Sequence, residues 1–98
     1  MTYLKHNYLS ISENENFAIL LGYKLKLTKT EYLILKAIIK NNNTPISSEE
    51  ISMYTSLELS KENVAFHVFN INSKAKLISN RILIKNIAKL GYFLNDKM

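Results

Sequence analysis

Thr28 and Ser47 each stand just before an apolar run and are followed three places later by a glutamate, Glu31 and Glu50. That is the spacing of a capping box, in which hydroxyl and carboxylate satisfy amide groups that the first helical turn leaves without partners. After Thr28, Tyr32, Leu35, Ile38 and Ile39 recur on one helical face until Asn41. After Ser47 a shorter helix runs through about Tyr54 and turns Ile51 and Tyr54 inward. NNNTP separates the two, because Pro45 disfavours helical geometry at the residue before it and asparagines suit a turn. Ser60 can cap a third helix, whose inner stripe of Val64, Val68, Ile71, Ala75 and Ile78 advances by four, three, four and three.

The segments flanking these helices have a different rhythm. Tyr8 to Ile11, Asn16 to Leu21 and Tyr23 to Leu27 are short β-branched or aromatic runs, divided by SENEN and by Gly22. They predict a small antiparallel sheet, with Tyr23, Leu25 and Leu27 on its dry face and the lysines between them wet. Beyond the third helix, RILIKNI and AKLGYFL predict a hairpin that turns either near Ser79 to Arg81 or near Ala88. Strands, three helices and a closing hairpin form an α+β winged helix-turn-helix, whose last helix enters the DNA major groove while the hairpin leans on the backbone. The expected division of one domain over 1–98 is an N-terminal sheet at 1–27, a three-helix core at 28–79 and a wing at 80–95.

Ninety-eight residues suit a single domain with a modest core. No apolar run reaches the twenty or so residues that span a bilayer, and MTYLKHNYLS lacks the apolar centre of a signal peptide, so a soluble, cytoplasmic protein without a membrane partner is expected. The absence of cysteine removes disulfides, thiol nucleophiles and ordinary structural zinc sites. With only His6 and His67 as imidazoles, no metal or other cofactor is expected. No glycine-rich phosphate loop, nucleophile with a paired base or carboxylate dyad is visible, so the chain does not read as an enzyme. The net charge of +5 is unevenly distributed: between Asn63 and Asn95 there is no acid, while Lys74, Lys76, Arg81, Lys85 and Lys89 fall inside that window. Such a segment is either a surface that meets phosphate or a lysine-rich solvated face.

The run LTKTEYLILKAIIKNNNTPISSEEI resembles the signature of the OmpR/PhoB-type effector domain of response regulators. NVAFHVFNI is similar to that family's recognition-helix segment, and IKNIAKLGYFL, with Gly91 and Tyr92 in place, to its closing hairpin. The resemblance implies a transcription regulator that binds double-stranded DNA, often as a homodimer on direct repeats, and that works with the transcription machinery or a separate regulatory protein. Family members usually carry a receiver domain phosphorylated on aspartate. The only aspartate here is Asp96, so this chain is no phosphoreceiver and is either a stand-alone regulator or a fragment of a longer protein.

The departures from the pattern bear on specificity. Asn70 and Asn72 stand where arginines are usual, Ala65 replaces a common aspartate, and at the wing Ala88-Lys89 replaces Arg-Gly. Arginine contacts guanine and phosphate bidentately, whereas asparagine bonds adenine through N6 and N7. An A·T-rich site is therefore expected, unless the helix has lost base reading altogether. The candidate contacts on the third helix, at about 61–78, are Asn63 and Asn70 to base edges, Phe66 to thymine methyls, His67 beside them and Lys74 to phosphate. Phe66 is equally read as half-buried beneath the wing, and His67 as a packing residue. On the wing, Arg81, Lys85, Asn86 and Lys89 are the candidates for backbone or minor groove, and Tyr92 closes the hairpin onto the core. The alternative function is a winged-helix protein-interaction module that presents Phe66 and Phe69 to a protein partner.

Overall fold

The computed structural model describes residues 3–41 and 44–96. Strands β1 (Tyr3–His6), β2 (Leu9–Ser12), β3 (Phe17–Leu20) and β4 (Tyr23–Lys26) form an antiparallel sheet in sequence order. Helices α1 (Lys29–Lys40), α2 (Ser48–Thr55) and α3 (Lys61–Ser79) follow, and β5 (Ile84–Ile87) pairs with β6 (Gly91–Leu94) in a hairpin. This is the expected α+β architecture with one strand more than the sequence suggested. The added strand, β1, lies at the edge of the sheet and is nowhere fully buried, so its residues carry little of the alternation that marks a half-buried strand. Met1, Thr2, Asn42, Asn43, Lys97 and Met98 lie outside the described residues, including part of the NNNTP break.

All three helices begin at the hydroxyl residues picked out above. Glu31 N–H donates to Thr28 Oγ1 at 3.2 Å and Thr28 N–H to Glu31 Oε1 at 2.9 Å; the Ser47–Glu50 box closes with two bonds of 3.1 Å. At Ser60 the reciprocal acceptor is Asn63 rather than a glutamate. Between α2 and α3, Ser56 adopts a left-handed conformation, and Ser52 Oγ donates to Leu57 O at 2.6 Å while accepting from Leu59 N–H at 3.2 Å. One short side chain thereby holds the turn that sets the direction of α3.

The core is built from the inner faces predicted for the helices. Leu35, Ile38, Ile51, Val64 and Ile71 are essentially inaccessible, joined by Leu9, Ile11 and Leu20 from the sheet. Two inward assignments need correcting. Tyr54 is 45% exposed, and the inner place at the end of α2 goes to Thr55, whose Oγ1 donates to Ser52 O and accepts from Leu57 N–H. Tyr23, at the turn end of β4, is also exposed, whereas Leu25 and Leu27 are buried as expected.

The hairpin is anchored at its base. Ile46 N–H donates to Tyr92 O at 2.9 Å and Tyr92 N–H to Ile46 O at 2.8 Å, so the segment before α2 is tied to β6 by a single antiparallel bridge. Gly91 makes that approach feasible: its φ is +125°, and a Cβ there would lie 2.3 Å from Ile46 O. From the sheet, the Tyr8 hydroxyl donates to Asn95 O. Burial, with the Asp96 charge adding, pushes the Tyr8 hydroxyl up to about 12. No helix among the described residues is long and apolar enough to cross a membrane.

Candidate nucleic-acid interface

The stripe Val64, Val68, Ile71 and Ala75 fixes α3 against the core. At about 100° per residue, the opposite face then carries Glu62, Phe66, Phe69, Ser73 and Leu77. Those apolar side chains are open to solvent: Phe66 is 60% exposed, Phe69 68% and Leu77 89%. Phe66 is thus not tucked beneath the wing. Its ring meets His67 edge-on at 5.5 Å between centroids, and the His67 side of the helix is half-buried.

The helix residues expected at the site divide into two groups. Phe66, His67 and Asn70 lie on the outer face or its flank, and the Asn70 amide makes no hydrogen bond among the described residues. Asn63 is exposed, but its Oδ1 accepts from Ser60 Oγ at 2.8 Å and Ser60 N–H at 3.4 Å, so the carbonyl end needed for a bidentate adenine contact is occupied by the helix cap. Lys74, expected at phosphate, has an internal partner: its ammonium lies 2.6 Å from Glu31 Oε1, a carboxylate only 3% exposed. Glu31 serves both the α1 cap and this ion pair, tying α3 to α1.

Asn72, noted in the sequence only as a missing arginine, holds the wing. Its Oδ1 accepts from Leu83 N–H at 3.1 Å and Ile84 N–H at 2.8 Å, and its Nδ2 donates to Ile84 O at 3.0 Å. A single side chain thereby satisfies three backbone groups where β5 begins. Nothing in a one-dimensional pattern distinguishes such an asparagine from its neighbour Asn70, since the signal is the position of a strand eleven and twelve residues away.

Arg81, Lys85, Asn86 and Lys89 are all exposed on or beside the hairpin. The wing turns through Ala88, Lys89 and Leu90, the second of the two places the sequence left open. Lys89 sits there at φ +72°, a conformation that a side chain disfavours. Below the turn an open cleft of about 410 Å³ runs between wing and helices, lined among others by Ser47, Ser48, Lys61, Asn86 and Lys89. Lys61, at the first turn of α3, was not singled out from the sequence; only the fold brings it beside the wing. Tyr92 is buried in the core, which raises its hydroxyl pKa. Among the described residues no cluster of metal-ligating side chains forms.

The arrangement can be set beside known proteins. The DNA-binding domain of the response regulator AdeR, solved with an intercistronic region, superposes with a TM-score of 0.80 at 20% identity, covering 93% of this chain and 97% of that one. The chain has the winged-helix fold of that domain. The DNA-binding domain of CpxR from E. coli matches this winged helix with a TM-score of 0.75 at 20% identity over 96% of both chains. That of Klebsiella pneumoniae RstA, solved with its RstA box, gives 0.76 at 12% identity over 96% of this chain and 97% of that one. No protein-family model matches the sequence, and no curated protein matches it.

Proposed function

We propose that this winged helix is the DNA-binding part of a transcription regulator, with the outer face of α3 in the major groove and the wing on the backbone or in the minor groove. The observation that carries the reading is the joint placement of exposed cations and an unpartnered helix face. Lys61 and Lys89 line one cleft, Lys85 and Arg81 are exposed on and just before β5, and no acid occurs in the sequence from Asn63 to Asn95. Phosphates neutralised by such lysines release counterions, the main source of affinity for a duplex. AdeR and RstA domains of this fold were solved with DNA, which supports the same use here.

Specificity falls to few groups. Asn70 is the helix amide best placed to bond adenine through N6 and N7, with His67 on its flank, and this favours A·T-rich sites. Asn86 completes the wing contacts. Lys74 and Asn63, held by Glu31 and Ser60, support the helix instead. A homodimer on direct repeats would place half-sites about 10 base pairs apart. The competing reading, a protein-interaction module, draws on the exposed Phe66 and Phe69; the exposed cations of α3 and the wing, against Glu62 as the single acid on that helix face, favour DNA. Selection from a random duplex pool tests the proposal, with the Lys85→Ala/Lys89→Ala variant alongside. An enriched A·T-rich motif lost in the variant supports it, and no enrichment by the folded protein refutes it.

A further inference from the structure

We infer that Phe66 and Phe69 recognise the 5-methyl groups of thymine, so that apolar contact sets part of the base preference. This rests on the DNA-binding reading above and deepens it. Both rings project from the outer face of α3, three residues apart and more than half exposed, so packing of this domain does not account for them. A phenyl ring carries no donor or acceptor and cannot read the hydrogen-bonding pattern of a base pair. The apolar feature that a base edge offers in the major groove is the thymine methyl.

The neighbours of the rings fit that ligand. Asn70 follows Phe66 by four residues, which puts amide and ring side by side on the helix surface. An A·T pair presents adenine N6 and N7 and the thymine methyl along the same groove, so the two side chains match one base-pair type. The sequence from Asn63 to Asn95 carries no acid, and of its five cations Lys76, Arg81, Lys85 and Lys89 are exposed while Lys74 is paired with Glu31, a balance that suits a polyanion more than an apolar protein groove. Glu62, one turn before Phe66, is the single acid on this face, and it lies in the first turn of α3, where the helix dipole favours it.

The test compares binding of the wild-type protein to short alternating dA·dT duplexes and to the same duplexes with deoxyuridine in place of thymidine, a change confined to the methyl group. A second pair sets dG·dC against dG·5-methyl-dC. Each contacted methyl is expected to contribute about fourfold in affinity, equivalent to about 0.8 kcal/mol. Wild type should bind dA·dT at least about fourfold more tightly than dA·dU and should gain from cytosine methylation, while Phe66→Ala/Phe69→Ala discriminates in neither pair. Equal binding of dA·dT and dA·dU by the wild type overturns the methyl assignment and leaves DNA binding standing. Failure to bind any duplex at low salt, with the chain folded, overturns both and assigns the rings to a protein partner.

Discussion

Replacing Asn72 by leucine keeps the volume of the side chain and removes all three hydrogen bonds that fasten α3 to the start of β5. Leu83 and Ile84 are almost wholly buried, at 0% and 2% exposure, so water has poor access to the backbone groups left behind. Three bonds at a net value of about 1 kcal/mol each give a loss of about 3 kcal/mol, and the orphaned amides of Leu83 and Ile84 make that a lower bound if they stay dry. For a domain of this size the midpoint should fall by roughly 12–24 °C. The loss should also be local: the Ile84 amide, which donates to Asn72 Oδ1 at 2.8 Å, should exchange with solvent much faster relative to core amides of α1. Thermal melts and amide hydrogen exchange measure both. An unchanged midpoint with a protected Ile84 amide would refute the claim that this side chain holds the wing.

Other perturbations separate stability from recognition. Gly91→Ala forces a Cβ to within 2.3 Å of Ile46 O at a φ of +125°, and should cost about 2–5 kcal/mol in urea unfolding. Lys89→Gly relieves a left-handed lysine and should raise stability by about 1 kcal/mol while lowering the salt dependence of DNA binding, opposite signs that melts and titrations distinguish. Lys74→Met leaves the Glu31 carboxylate without its ammonium; because Lys74 is 37% exposed, the loss is about 1–2 kcal/mol, and DNA affinity at a temperature where the variant is folded should be unchanged. The Tyr8 hydroxyl holds its proton more tightly folded than unfolded. Its contribution is therefore complete below pH 10 and lost as pH rises towards about 12, and Tyr8→Phe should flatten the alkaline fall in stability over that window.

Most of the fold could be read from the chain because its signals are local. Capping residues at Thr28, Ser47 and Ser60 and the apolar stripe of α3 act within one or two turns, and the structure places helix starts where those residues stand. The edge strand β1 and the inward turn of Thr55 escaped notice because both depend on what lies across the fold. The candidate site was less legible for the same reason. Asn63, Asn70 and Asn72 look alike in sequence, yet one caps a helix, one faces outward and one holds the wing. Lys74 and Lys61 exchange apparent importance once Glu31 and the wing are in place.

The most direct test of DNA binding by the wing and α3 is the salt dependence of affinity for an A·T-rich duplex, measured for the wild type and for Lys85→Ala/Lys89→Ala. If both lysines meet phosphate, log affinity falls linearly with log salt in the wild type, and the double variant lowers that slope by about 1.8 with its fold intact. Identical slopes, or no binding at low salt, would contradict it.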